Sequence, residues 1–276
     1  MRWLVVFAAV SAVIAAAPAV RADQLQDIKS RGKLVCATLG TFEPFSFQDP
    51  ATREIIGYDV DFCRAVATSI GVPLEVKPVA VEARIPELIQ GRVDIVAAAM
   101  GYSDARAQQI GYSKTYFVSR QRILVHSDAG ISSWDQLEGK KISAIKGSDT
   151  EAFIRQLIPK AQTVTFQDPA TAFLALQQGK VDGSCASEIA LSKAADAAGG
   201  GFTLLARPVV VERWGLAIRK EETGFIAYVN SVLDKMEQSG EGKAVFDKWF
   251  GPNTRYKLER SFTFDAIGNP VVGPPG

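Results

Sequence analysis

The chain has 276 residues, 31 Lys and Arg against 30 Asp and Glu, a formal net charge of +1 and 47% apolar residues. That length suits one large domain or two modest lobes, and the charge balance shows no basic patch of the kind nucleic acid demands. His126 is the single histidine, which nearly excludes a histidine metal cluster or a conventional Ser-His-Asp triad.

Residues 1–22 read as a signal peptide. Arg2 precedes an apolar run over 3–17 broken only by Ser11, and after Pro18 the small-residue pattern Val20-Arg21-Ala22 offers a cleavage site before Asp23. Cleavage there removes Arg2 and Arg21, leaving 29 basic against 30 acidic residues and a formal charge of −1. No later stretch approaches the roughly 20 apolar residues that span a bilayer. An exported, periplasmic, soluble protein is expected, with ligand selectivity set by a few placed charges rather than by a global field.

Residues 33–38 read as a buried strand, followed by a turn-rich segment and the alternating Phe45-Ser46-Phe47. Residues 57–70 carry apolar positions at helical spacing; 74–79 read as a strand and 84–90 as a helix. The run Leu88-Ile89-Gln90-Gly91-Arg92-Val93-Asp94 then leads into the apolar 95–100, and the same punctuation returns in Leu176-Gln177-Gln178-Gly179-Lys180-Val181-Asp182 before 183–186. In each copy a glycine can take the left-handed helix end, a basic residue suits the negative end of the dipole, and a short buried strand follows. The copies lie too far apart for a solenoid repeat, so two related α/β lobes facing across a cleft are expected.

Residues 116–125 run extended. Strand–helix alternation then restarts over 141–145, 150–157, 163–166, 169–178 and 183–186. A second extended stretch, 209–218, precedes helices at 224–239 and 242–250. The two extended stretches are candidates for paired hinge strands. On that basis lobe 1 is expected to comprise 23–121 and 214–260, with lobe 2 inserted as 122–213. The segment 261–276 is expected to be a poorly ordered tail.

Three cysteines are an odd count for an oxidising compartment. Cys36 and Cys63 fall in one expected core, where they either pair or, as the favoured expectation, remain two buried thiols. Their spacing to Cys185 matches no zinc pattern.

Two segments carry candidate chemistry. Met100-Gly101-Tyr102-Ser103-Asp104-Ala105-Arg106 follows a strand and opens a helix: Gly101 admits close backbone approach, and Arg106 either forks onto a carboxylate or is a solvated first-turn residue. Lys146-Gly147-Ser148-Asp149-Thr150-Glu151 is its counterpart. There Ser148 or Asp149 serves as a simple N-cap or closes over a polar ligand. Phe42 is either core or a cleft wall, and Arg84 either binds an acidic group or is solvated.

At these residues the chain resembles the periplasmic amino-acid-binding proteins of ABC importers, the family-3 solute-binding proteins. The resemblance runs from about Gly32 to Gly251 and rests on Gly32-Lys33-Leu34-Val35-Cys36, Pro44-Phe45-Ser46-Phe47, Gly57-Tyr58-Asp59-Val60-Asp61, Arg106 with Tyr112-Ser113-Lys114-Thr115-Tyr116, and Phe246-Asp247-Lys248-Trp249-Phe250. Arg84-Ile85-Pro86-Glu87-Leu88 and Ser239-Gly240-Glu241 look most like the glutamate/aspartate-binding branch. The resemblance implies a type II periplasmic-binding-protein fold, α/β with mixed sheets flanked by helices, and a ligand cleft between two hinged lobes.

It also implies a non-enzymatic receptor for a small carboxylate-bearing solute, foremost a polar or acidic L-amino acid. Such a receptor works as a monomer with a permease of the inner membrane and needs no cofactor or metal. The implied α-carboxylate site is Arg106 with Gly101; Phe42 is the stacking aromatic, Arg84 serves a side-chain carboxylate, and Ser148, Asp149 and Thr150 form the second-lobe loop. Ala99, Ser103, Ser187 and Glu188 complete the implied ligand-binding set.

Three departures stand out. Gly101 replaces the family's Ser or Thr, Leu39 or Thr38 stands where many relatives place a charge, and Ser187 occupies the position of the ammonium-pairing aspartate. Either Asp149 or Glu188 takes over that pairing, or the ligand has no ammonium. An amine-free ligand would fit a binding protein for such acids, or a dehydratase of cyclic carboxylates on the same fold with Asp149, Glu188 or Glu212 as its acid or base.

Overall fold

The computed structural model describes residues 23–273; the expected signal peptide lies outside them. In chain order α1 (Gln24–Arg31), β1 (Leu34–Thr38), β2 (Thr41–Phe42), β3 (Ser46–Gln48), β4 (Ile55–Ile56), α2 (Tyr58–Ile70), β5 (Leu74–Pro78), α3 (Arg84–Ile89), β6 (Ile95–Val96) and α4 (Asp104–Ala107) lead to the long β7 (Ile110–His126). There follow β8 (Lys141–Ile145), α5 (Asp149–Leu157), β9 (Gln162–Phe166), α6 (Pro169–Gln177), β10 (Gly183–Ser187), α7 (Glu188–Ala197), β11 (Phe202–Leu204) and the long β12 (Val210–Arg219). The chain closes with α8 (Thr223–Ser239), α9 (Glu241–Phe250) and β13 (Val271–Val272).

Among the described residues ten strands form one sheet in the order β5-β1-β6-β12-β7-β10-β8-β9, with β11 on β7 and β13 on β12. The antiparallel β7–β12 ribbon is its spine, with register shifts around Gly215. Parallel β5-β1-β6 joins one end of it, where Ala217 pairs with Val96. Parallel β10-β8-β9 joins the other, from Gly183 opposite Val125 to Ser187 opposite Gln121.

The repeated punctuation of the sequence is repeated in three dimensions. Gly91 and Gly179 take φ of 68° and 67°, the left-handed conformation that ends each helix. Arg92 and Lys180 then bond back with their amides to the carbonyls of Glu87 and Ala175. Asp94 donates its amide to Val35 and accepts from the Val35 amide at 2.8 Å; Asp182 does the same with Lys141, accepting at 2.7 Å. Each aspartate thereby locks the register of a βαβ crossover, which is why both halves read alike.

Aromatic packing holds the first half together. Phe45 lies at the centre, with ring centroids 4.8 Å from Phe117, 4.9 Å from Trp214 and 5.2 Å from Phe250. Gly57 permits this: any Cβ there would stand 2.2 Å from the Phe45 carbonyl oxygen.

Two expectations are corrected. Cys36 and Cys63 are not free thiols but form a disulfide between β1 and α2; Cys185 is the free, buried cysteine. The segment after residue 260 is not a loose tail through Gly273. Phe264 is 3% exposed and Phe262 packs on the same core, with the Arg260 guanidinium over both rings. The Thr115 amide donates to the Asp265 carbonyl at 2.8 Å, and β13 pairs with β12. Two alternate aromatic side chains suffice to anchor a segment that has no secondary-structure period of its own.

Candidate functional site

The carboxyl ends of β1 and β6, and those of β8 and β10, which run in the opposite direction beyond the β7–β12 ribbon, meet at one cavity, the usual place for a ligand in α/β sheets. With the β7–β12 ribbon they surround a cavity of about 70 Å³. The loop after β6 reaches it through Ala99, a non-glycine residue held at φ 51°. Such a backbone is uncommon and persists where the surroundings over-determine it. Arg84, the first residue of α3, supplies that constraint, donating to the carbonyls of Ala98 at 2.8 Å, Ala99 at 3.0 Å and Val81 at 2.8 Å. Arg84 is 4% exposed; burial, and after it the neighbouring Arg106, lowers its pKa to about 10, so it stays charged at neutral pH.

Arg106 sits in the short α4, where the Ser103 hydroxyl accepts from its amide at 3.4 Å. Its guanidinium donates to the Gly101 carbonyl at 3.0 Å and, across the cavity, to the Gly147 carbonyl at 3.1 Å. The same group forms an ion pair with Asp149 at the start of α5. Burial pushes the Asp149 carboxyl up, against the pull of Arg106 and then Arg84. Ser148 holds the N-cap position but donates its hydroxyl to the Ile145 carbonyl at 2.6 Å instead of capping α5. Thr150 is buried against the cavity, and Phe42 forms a wall with Trp214, ring centroids 6.4 Å apart.

Ser187 lines the cavity as the N-cap of α7, its hydroxyl accepting from the Ala190 amide at 3.3 Å. Glu188, one residue on, does not line it: its carboxylate turns to Arg120 at 3.3 Å and Arg122 at 3.7 Å. One step at a helix start rotates a side chain by about 100°, enough to carry Glu188 away from the cleft. Ser103 likewise contributes a cap and no cavity wall. The other expected residues, Phe42, Arg84, Ala99, Gly101, Arg106, Ser148, Asp149, Thr150 and Ser187, are brought together.

Glu212, expected only as a possible acid or base and not among the binding residues, also belongs to the cavity. It is 6% exposed, lines the cavity, and accepts through Oε2 from Trp214 Nε1 at 2.9 Å and Gln121 Nε2 at 3.1 Å. Burial pushes its carboxyl up, with the Trp214 hydrogen bond opposing. Strand alternation carries the signal: Val210, Glu212 and Trp214 share the buried face of β12. Among the described residues no group of three or more His, Cys, Asp and Glu side chains is placed to hold a metal ion.

Below the Ala99 loop lies Asp59, fully buried, accepting from the Tyr116 hydroxyl at 2.8 Å. Burial pushes its carboxyl up to about 7, with Tyr116 and the Ala99 amide opposing. The unfolded carboxyl titrates near 3.8, so between about pH 4 and 7 the folded chain holds the proton more tightly. The stability this group contributes is full below that window and is lost as pH rises through 7. The melting temperature should therefore rise by several degrees from pH 8 to pH 5. Asp59→Asn should flatten that slope without abolishing it, because Asp149 and Glu212 are raised in the same direction. An identical slope in the variant would remove Asp59 as its source.

Residues 34–252 match the family model described as bacterial extracellular solute-binding proteins, family 3. The chain is 30% identical over 231 residues to the ABC transporter glutamine-binding protein GlnH of Bacillus subtilis (strain 168), covering 82% of this chain and 84% of that one. It is 25% identical over 252 residues to the glutamate/aspartate import solute-binding protein of Escherichia coli (strain K12), covering 85% and 82%. Among solved structures, the ancestral amino acid-binding protein AncCDT-1, a precursor of cyclohexadienyl dehydratase, matches with a TM-score of 0.76 and 29% identity over 83% of this chain and all of that one.

Proposed function

Because the chain belongs to the bacterial extracellular solute-binding proteins of family 3, we propose that its cleft captures a polar L-amino acid, with the α-carboxylate on Arg106. Its fold is the α/β periplasmic-binding-protein fold, and the protein is the amino-acid-binding component of an ABC importer rather than an enzyme. The observation that carries the finer reading is the Arg106–Asp149 ion pair. A carboxylate already lies on this guanidinium, bonded through Nη1 and Asp149 Oδ2, the kind of charge-assisted contact that a ligand carboxylate would make there. The ligand exchanges for Asp149.

Residues 122–213 act as the lobe that closes, with β7 and β12 as hinge strands. Contacts between this segment and the remainder support that motion: Arg106 with Asp149 and Gly147, Lys193 with Glu43, and Lys146 with Glu82 at 3.7 Å. A ligand shifts such an equilibrium only through contacts it gains on closure. A micromolar ligand needs about −8 kcal/mol in total, within reach of a few charge-assisted bonds and the Phe42 wall.

Of the polar and acidic ligands expected from the sequence, a polar side chain is favoured. Arg84 already gives its guanidinium to the Val81, Ala98 and Ala99 carbonyls and lies 3.5 Å from the Gly147 carbonyl. It offers little to a second carboxylate. The protein works as a periplasmic monomer that presents its ligand to an inner-membrane permease.

The test is a thermal-shift screen of the mature chain from Asp23, stripped of carried ligand by unfolding and refolding. A ligand at about 100 times its dissociation constant adds about 2.7 kcal/mol, which raises the melting temperature by several degrees. Stabilisation by a polar L-amino acid supports the reading, and no stabilisation by any amino acid at millimolar concentration overturns it. Small-angle scattering with the stabilising ligand reads closure; an unchanged scattering profile removes the hinge assignment.

A further inference from the structure

Gly101 and Glu212 compete for one space. A Cβ added at Gly101 would stand 3.1 Å from Glu212 Oε2, 3.3 Å from its Cδ and 3.6 Å from Asp149 Oδ2. The missing side chain at 101 thus makes room for two protein carboxylates that converge beside Arg106. Glu212 is more than nine-tenths buried; its Oε2 is taken by Trp214 and Gln121, while Oε1 receives no hydrogen bond among the described residues. A buried carboxylate with an open oxygen calls for a cationic donor. Among the described residues none is free to serve: Arg106 is engaged by Asp149 and two carbonyls, and Arg84 by its own carbonyls. Ser187 is neutral and its hydroxyl caps α7.

We propose that Glu212, with Asp149 beside it, receives the ligand's ammonium group, and that the ligand is an amino acid bearing no second carboxylate. This rests on the assignment of the α-carboxylate to Arg106. In an α-amino acid the ammonium and carboxylate are borne by one carbon, so the ammonium acceptor must adjoin Arg106, as Asp149 and Glu212 do. Binding is then an exchange of ion pairs. The ligand carboxylate takes Arg106 from Asp149, and the ammonium takes the released Asp149 together with Glu212. The cleft holds two cations, Arg84 and Arg106, and two anions, Asp149 and Glu212. A zwitterion keeps the formal charges of the cleft balanced, whereas a second ligand carboxylate adds one buried negative charge with nothing to offset it.

The experiment is titration calorimetry of the mature protein with matched pairs: L-glutamine against glutaramic acid, and L-arginine against 5-guanidinopentanoic acid, each second member lacking only the α-amino group. L-glutamate is the doubly acidic comparison. The wild type is expected to prefer the amino acid of at least one pair over its amine-free partner, and to bind that amino acid at least tenfold more tightly than L-glutamate. In Glu212→Gln, which keeps an oxygen for Trp214, that preference should fall at least 30-fold. Gly101→Ala, which crowds the Glu212 carboxylate without removing a charge, should lower it in the same direction; circular dichroism and melting confirm that both variants are folded. An unchanged preference in both variants overturns the proposal, as does an equal loss of both members of a pair in Glu212→Gln. Tighter binding of L-glutamate than of either other amino acid overturns the ligand class. Binding of the amine-free acids alone overturns the ammonium site while leaving Arg106 as the carboxylate site; binding of neither class overturns both readings.

Discussion

Replacing Arg106 with alanine is expected to abolish measurable ligand binding while leaving a folded protein. The Arg106 side chain is 11% exposed and its partner Asp149 19%, so the pair operates largely out of water. Truncating one partner of such a hydrogen-bonded charge pair costs about 2–5 kcal/mol, or about 30-fold to several thousandfold in affinity. A micromolar ligand would fall to about tens of micromolar at the smaller cost and to millimolar, beyond ordinary detection, at the larger. The variant also strands Asp149 near Glu212 without its principal cation, which pushes the Asp149 carboxyl further up and leaves the cleft anionic.

Arg106→Lys separates charge from geometry. It keeps the cation but loses the planar fork that bonds Gly101, Gly147 and a carboxylate together, so an intermediate affinity is expected. Calorimetric titration with the ligand found by thermal shift measures all three proteins. An isotherm for Arg106→Ala that overlays the wild type would remove Arg106 from the site.

Loss of the Cys36–Cys63 disulfide is expected to lower stability by about 3.5 kcal/mol through the restored freedom of the unfolded chain across a separation of 27 residues. For a chain of this size that is a fall in melting temperature of about 7–14 °C. Both cysteines are fully buried, Cys36 in β1 and Cys63 in α2. The Cys36→Ser, Cys63→Ser double variant, or the wild type melted with reductant, should show the loss. Cys185 should not respond to thiol reagents in the native protein, because burial pushes its thiol up and shields it. Three titratable thiols in unfolded, non-reduced protein would show that the bridge does not form.

The parts legible in the sequence are those that local chemistry dictates. The glycine, basic residue and aspartate after two separate helices marked the duplicated βαβ crossover, because a left-handed helix end and a register lock are needed wherever a helix returns to a parallel strand. The helices expected at 57–70, 224–239 and 242–250 differ by one residue at their starts from α2, α8 and α9. The long strands were less legible. β7 begins at Ile110, ahead of the expected 116, because half-exposed Gly111 and Lys114 interrupt the apolar run.

The alternation of elements, the two-part architecture and most of the side chains that meet in the cleft follow from local pattern, since turn chemistry and hydrophobic period are local properties. Which charges face one another is set by how distant elements pack. Arg106 meets Asp149 across 43 residues, Gln121 meets Glu212 across 91, and Cys36 meets Cys63 across 27. Sequence pattern could place each of these residues on an element, but not set two elements at contact distance. The same limit separated Ser187 from Glu188: adjacent in the chain, they point to different surroundings because α7 begins between them. It also hid Glu212, whose strand alternation put it on a buried face, while only the packing of β12 against the Gly101 loop turned that face into a cavity wall.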